Sequence, residues 1–233
     1  MSDLVPMEST AFTFPAAIIF DMDGLMLNSE IIFHKAWQDE LMHLGYGAID
    51  EAAYLQLVGC SNDLAEQMLL QLLGTEFPVD QFRTGWMTRW EILAAQGIPI
   101  KPGLDSLLNW LDEIGLPKAV GTSSSDREAQ LSLQSTGLWS RFNAIVTVDN
   151  AGVGKPEPDI FLAAARSLNI PPSRCLVLED SNAGVQAAIT AGMEVIMVPD
   201  LQTPTDYSKK HALATVSSLH EVLSYLQNIA WRP

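Results

Sequence analysis

Two carboxylates stand in Asp21-Met22-Asp23-Gly24, directly after the apolar run Ala16-Ala17-Ile18-Ile19-Phe20. Acids this close resist joint ionisation unless a cation compensates them, so a metal ion is the economical reason to place them together. Mg²⁺ suits the pair: it is hard, prefers oxygen and is commonly held by a few carboxylates plus water or substrate phosphate. A calcium loop also opens on alternating acids. It needs glycine at its sixth place and glutamate at its twelfth, where this chain has Met26 and Ile32.

Three further places carry chemistry. Glu179-Asp180 follows the apolar run Cys175-Leu176-Val177-Leu178 and precedes Ser181-Asn182-Ala183-Gly184, which can open a helix. Taken alone, these acids also fit an exposed helix start favoured by the macrodipole. Thr122-Ser123-Ser124-Ser125 offers hydroxyls and backbone N–H groups to an anion, although taken alone it reads more readily as an ordinary N-cap. In Gly154-Lys155-Pro156-Glu157-Pro158-Asp159 two prolines stiffen a loop and fix where Lys155 points. Such a lysine is otherwise solvated, but at a phosphate-binding edge it can balance phosphate and carboxylate charge.

The elements that must position these groups are short apolar strands at Ala16–Phe20, Lys118–Gly121, Ala144–Thr147, Cys175–Leu178 and Val195–Val198, of the kind buried on both faces of a sheet. Between them run helical stripes such as Leu104, Leu107, Leu108, Leu111 and Ile114, and Ile160, Phe161, Ala164, Ala165 and Leu168. Gly115, Gly137 and Gly192 stand where helices should stop. Strand alternating with helix predicts an α/β fold with a doubly wound, Rossmann-like parallel sheet, whose carboxyl edge collects all four motifs. If the first strand and Cys175–Leu178 are neighbours, Asp21 and Asp180 can share one ion.

The segment 30–97 breaks the alternation. It holds helical stripes at Phe33, Ala36, Trp37, Leu41 and Leu44, at Leu64, Met68, Leu69 and Leu72, and at Phe82, Trp86, Trp90 and Leu93. We read residues 13–29 and 98–233 as a catalytic core and 30–97 as an inserted α-helical cap at the ligand edge, placed as a lid, with Trp86 and Trp90 in its own core. The segment Pro199 to Lys210 reads as a loop, and Leu219, Val222, Leu223 and Leu226 as a closing helix.

The 233 residues include 13 basic and 28 acidic side chains, a net charge of −15, and 48% are hydrophobic. A chain of this length buries roughly 70–75% of its unfolded surface, enough to fold without a metal staple or disulfide. The negative charge repels phosphate backbones and anionic bilayers, so neither nucleic acid nor membrane is expected as a partner. No run approaches the roughly 18 apolar residues of a membrane span, and Met1 to Pro15 lacks a basic n-region and an apolar h-region. A cytoplasmic monomer is expected. Cys60 and Cys175 have no metal or redox spacing, and Cys175 reads as a small core hydrophobe.

Asp21-x-Asp23-Gly24, Thr122 after a strand, Lys155-Pro156-Glu157-Pro158-Asp159 and Glu179-Asp180-Ser181-x-x-Gly184, in that order, resemble the haloacid dehalogenase-like hydrolase superfamily, in its phosphatase and β-phosphoglucomutase-like branch. The resemblance spans about Ala16 to Val198. It implies Asp21 as the nucleophile that becomes an aspartyl-phosphate and Asp23 as the general acid and base. It implies Mg²⁺ held by Asp21, the Asp23 carbonyl and Asp180, with Glu179 direct or through water. Thr122, Ser123 and nearby N–H groups would hold the phosphoryl oxygens, and Lys155 would neutralise charge.

Dehalogenases of the superfamily lack the second aspartate, so Asp23 implies phosphoryl transfer. Similar mutases carry a histidine on the first cap helix and an arginine in the cap's substrate loop. Aligning Asp23 through Trp37 without gaps puts Phe33 at the histidine's place, with His34 adjacent, and in Val58-Gly59-Cys60-Ser61-Asn62 it is Asn62 that stands where the arginine is expected; both departures favour hydrolysis. Asn28 stands where relatives usually carry aspartate. The expectation is a Mg²⁺-dependent phosphatase of a small phosphorylated metabolite, a sugar phosphate foremost, with Asn28, Cys60, Ser61 and Asn62 as candidate substrate contacts. The alternatives are a β-phosphoglucomutase-type mutase and a non-catalytic phosphometabolite sensor.

Overall fold

The computed structural model describes residues 14–50, 53–54 and 62–230. Six strands form one sheet: β1 (Ala17–Phe20), β2 (Lys118–Gly121), β3 (Ala144–Val146), β4 (Cys175–Glu179), β5 (Glu194–Met197) and β6 (Ala214–Thr215). Every pairing is parallel and the order is β3-β2-β1-β4-β5-β6. The chain steps outward from β1 to β3, then crosses back to lay β4 on the other side of β1. That reversal opens a crevice at the carboxyl ends of β1 and β4, where open α/β sheets bind ligands.

Side chains of β1 alternate between two apolar layers, as the period of a strand requires. Ile18 and Phe20 pack with Leu104, Leu107, Leu108 and Leu111 of α4 (Leu104–Glu113), Ala129 and Leu133 of α5 (Asp126–Ser135), and Leu219, Val222 and Leu226 of α10 (Leu219–Ala230). Ala17 and Ile19 pack with Ile160, Phe161, Ala164 and Ala165 of α7 (Asp159–Leu168) and Val185 and Ala188 of α8 (Asn182–Thr190). Cys175 lies in the second layer, its thiol pushed up to about 11 by burial. A helix α6 (Val148–Ala151) follows β3. Gly115, Gly137 and Gly192 adopt φ of 66°, 72° and 72°, the left-handed ends expected of helix stops.

The segment Pro199 to Lys210 is not all loop. Its second half begins α9 (Asp206–His211), capped by Thr205, whose Oγ1 accepts from Ser208 N at 3.1 Å. Six residues are too few to show helical periodicity in sequence, and the two-residue β6 is shorter still.

Between β1 and β2 the described chain forms α1 (Glu30–His43), α2 (Asn62–Leu73) and α3 (Val79–Ala95). The linkers that lead out and back pair with each other: Asn28 N donates to Pro99 O at 2.8 Å and Lys101 N to Met26 O at 2.9 Å. Aromatic rings fill the space between α1 and α3. Phe33 stacks on Trp90 at 5.4 Å and Trp37 meets Phe82 edge-on at 5.2 Å, with Trp86 and Trp90 both buried. Across this core the buried Glu40 carboxylate accepts from Arg89 Nε at 2.6 Å. Arg127 of α5 pairs with Glu91 of α3 at 2.7 Å, an ion pair between the helical segment and the sheet domain. No helix of the described residues is long and apolar enough to cross a membrane.

Gly85 of α3 makes room for Glu40: a Cβ there would lie 2.1 Å from its carboxyl carbon. Alanine ordinarily stabilises a helix by about 1 kcal/mol over glycine. Here Gly85→Ala is expected to destabilise the fold by about 1–3 kcal/mol, because the carboxylate must leave Arg89 and stay buried. Thermal unfolding checks this; an unchanged or raised Tm would contradict it.

Candidate active site

Asp21 is the first residue beyond β1, and its N–H continues the ladder to Leu178 O at 3.0 Å. Its side chain is buried and accepts a hydrogen bond at Oδ1 from Lys155 Nζ. The same ammonium donates to Glu179 Oε1 at 2.6 Å and sits 4.9 Å from the centroid of the Phe161 ring. Lys155 therefore joins the loop after β3 to the ends of both central strands. Burial works against its charge, but Asp21 and Glu179 outweigh that and raise its pKa.

Glu179 is fully buried and has both carboxylate oxygens engaged. Oε2 accepts from Ser181 N at 2.7 Å and from Ser181 Oγ at 2.9 Å. Ser181 also caps α8, accepting from Gly184 N at 3.0 Å. Gly184 is glycine for a steric reason, since a Cβ there would fall 1.8 Å from Glu179 Oε1. Gly24 is constrained twice: its φ is +83°, and a Cβ would lie 2.3 Å from Asp180 Oδ2. The glycines of both motifs are thus the space the carboxylates occupy.

Asp21, Glu179 and Asp180 present oxygens that all lie within 4.8 Å of one another. Burial pushes the Asp21 carboxyl up to about 7, against the pull of Lys155. Asp180 is held well above the usual carboxylate range by burial and by the charges of Glu179 and Asp21. Three carboxylates around one ammonium leave negative charge that a hard divalent cation would neutralise, so this donor set fits Mg²⁺.

Asp23 approaches from the same turn. Its Oδ2 accepts from Ser124 Oγ at 2.5 Å, and its buried Oδ1 has no partner among the described residues. The turn after β2 runs beside it. Thr122 is buried, donates from N to Val146 O at 3.0 Å and accepts at Oγ1 from Ser124 N at 3.0 Å. Ser123 Oγ accepts from Lys155 N at 3.4 Å, and Ser125 caps α5 in a capping box with Glu128. Asp21, Asp23, Thr122, Ser123, Lys155, Glu179 and Asp180 are therefore linked in one cluster at the crevice.

The other expected residues stand differently. Asn28 lies in the outgoing linker, partly exposed. Cys60 and Ser61 lie outside the described residues, and Asn62 opens α2 with its side chain outside them. Sequence reading missed Glu30, whose Oε2 accepts from Tyr54 Oη at 3.0 Å. Burial raises its carboxyl to about 7, with Asp23 and Asp200 adding to the rise and Lys101 opposing it. An acid in the first turn of a helix reads as a partner of the helix dipole, so no sequence signal marks it.

Comparison with known proteins identifies the family. The family description "Haloacid dehalogenase-like hydrolase" matches residues 18–198. Fructose-1-phosphate phosphatase YqaB of Escherichia coli (strain K12) is 32% identical over 183 residues, covering 78% of this chain and 96% of that one. A phosphorylated carbohydrates phosphatase of Thermotoga maritima is 27% identical over 91% of this chain and 99% of its own. Among solved structures, mutant CbbY of Rhodobacter sphaeroides in complex with xylulose-(1,5)bisphosphate superposes with a TM-score of 0.77 at 25% identity, covering 89% of this chain and 96% of that one. The chain is an enzyme of the haloacid dehalogenase-like hydrolase family, with phosphatases among its relatives.

Proposed function

We propose that the chain is a Mg²⁺-dependent phosphatase of small phosphomonoesters, sugar phosphates foremost, acting through an aspartyl-phosphate on Asp21. The observation that carries this is the buried Asp21 carboxylate beside Lys155, with Asp180 next to it and Asp23 on the same turn. Mg²⁺, held by the Asp21 carboxylate, the Asp23 carbonyl and Asp180, with Glu179 direct or through water, would supply positive charge to the transferring phosphoryl group.

Lys155 and the N–H and hydroxyl groups of Thr122 and Ser123 offset the remaining phosphoryl charge. Asp21 attacks phosphorus as the ester bond breaks, and Asp23 gives its proton to the departing oxygen. Asp23 then takes a proton from the water that hydrolyses the aspartyl-phosphate, which restores both acids. Residues 30–97 serve as a cap whose closure excludes bulk water during this sequence. The relatives named for fructose 1-phosphate and phosphorylated carbohydrates support a sugar phosphate as the partner. The net charge of −15 weighs against nucleic acid.

A mutase is the second reading, since the family includes them. Phe33, at the position of the mutase histidine, is consumed in stacking on Trp90. The adjacent His34 is committed to Gln38 at 3.1 Å and packs on Tyr54. Both facts favour hydrolysis. A sensor reading gives no reason for Asp23 to be held beside the crevice.

Phosphate release from a panel of sugar phosphates, phosphoglycolate and nucleotides, with Mg²⁺ or chelator, tests the proposal. Mg²⁺-dependent release is expected, falling by about 10⁴-fold or more in Asp21→Asn. Turnover retained by that variant would overturn the nucleophile. Isomerisation of a bisphosphate-primed hexose phosphate without release would make the protein a mutase, and neither activity would leave a sensor.

Metal binding has a readout independent of turnover. Saturating Mg²⁺ should raise the Tm of the wild type by about 5 °C or more, since a ligand at a hundred times its Kd adds about 2.7 kcal/mol. Asp180→Asn should lose most of that increment. A variant that keeps it in full would remove Asp180 from the ligand set.

A further inference from the structure

We propose that Ser124 is a positioning residue for the proton-transferring carboxylate of Asp23. The inference rests on the phosphatase reading above and adds to it the group that aims its acid. Asp23 has one side-chain hydrogen bond among the described residues, from Ser124 Oγ to Oδ2 at 2.5 Å, and its Oδ1 is buried without a partner. A carboxylate held at one oxygen has its rotation about Cβ–Cγ fixed. Ser124 therefore decides which oxygen meets the substrate.

Four consecutive hydroxyls stand after β2, and each has a separate task. Thr122 Oγ1 accepts from Ser124 N, Ser123 Oγ accepts from Lys155 N, and Ser125 Oγ is taken up by the capping box with Glu128. Only Ser124 reaches Asp23. Its own backbone is tied down at both ends, by that bond to Thr122 at 3.0 Å and by Val148 N donating to its carbonyl at 3.3 Å. Asp23 is in turn fixed through its bridge to Leu27, whose N–H donates to Met22 O at 3.0 Å. A rigid donor on one strand end thus faces a rigid acid on its neighbour.

The proton balance follows from this geometry. With Ser124 donating to Oδ2, Oδ1 is the oxygen without a hydrogen bond, and in the proposed step it is the one from which the proton is given. As an Asp21 oxygen bonds to phosphorus, the bond from phosphorus to the ester oxygen breaks and the Oδ1 proton passes to that oxygen, releasing a neutral alcohol. Asp23 is left as a carboxylate, and the Ser124 bond becomes charge-assisted, the stronger kind of O–H···O⁻ contact. Ser124 thereby stabilises the form of Asp23 that the next half-reaction uses as a base.

The test compares kcat/KM for two esters, because that ratio reports formation of the aspartyl-phosphate and not its hydrolysis. One is the sugar phosphate that the wild type hydrolyses fastest, whose alkoxide leaves only with a proton. The other is p-nitrophenyl phosphate, whose phenolate leaves without one. Since a general acid contributes about 10²–10⁴-fold, Ser124→Ala should lose about ten- to a hundredfold on the sugar phosphate and less than about threefold on the aryl ester. Ser124→Thr, which keeps the hydroxyl, should recover most of the loss. The Tm of both variants should stay within about 5 °C of wild type, since one hydrogen bond contributes about 0.5–1.5 kcal/mol net and each kcal/mol moves the Tm of a chain this size by about 2–4 °C.

Equal losses on the two esters, no loss on the sugar phosphate, or no recovery by threonine would overturn the role of Ser124 while leaving the phosphatase intact. A wild type that hydrolyses neither ester would bring down the phosphatase reading and this inference together.

Discussion

One ammonium group organises the site. Lys155 Nζ lies between the carboxylates of Asp21 and Glu179, all three buried, at the point where the strand order turns back on itself. A buried charge is tolerated only when paired, so each of these groups holds the others in place. The balance is incomplete, because Asp180 stands beside them with no lysine of its own among the described residues, its carboxyl held well above the usual carboxylate range by burial and by the charges of Glu179 and Asp21. A site that carries an unmet negative charge is prepared for a hard cation and, through it, for a phosphoryl group.

The fold exists to make that crowding possible. Two apolar layers grip β1 from both sides and fix the direction in which the chain leaves the sheet at Asp21. Parallel pairing of β1 with β4 brings Asp180 to the same edge, and pairing with β2 brings Thr122. Gly24 and Gly184 then remove the side chains that would occupy the carboxylates' volume. The glycines in the two motifs are the steric counterpart of the acids. Either set without the other would leave a clash or an empty space.

Much of this was legible in sequence because burial on both faces writes itself as short unbroken apolar runs, such as Ala17 to Phe20 and Cys175 to Leu178. Acids at the ends of such runs have few purposes, so Asp21-Met22-Asp23-Gly24 and Glu179-Asp180 stood out. Elements below the length of their own period did not: α9 has six residues and β6 two. Contacts made by common residue types were invisible for another reason. Nothing in four hydroxyls in a row says which one reaches Asp23, and nothing in an acid at the start of α1 says that Tyr54 will meet it. Those assignments arise from the relative placement of elements far apart in the chain.

The central claim is that phosphorus is transferred to Asp21 before water removes it. Acid quench during turnover of a ³²P-labelled substrate, followed by peptide mapping, tests this most directly. The account predicts an acid-stable label on Asp21, lost in Asp21→Asn. Turnover with no labelled protein, or with the label on any other residue, would contradict it.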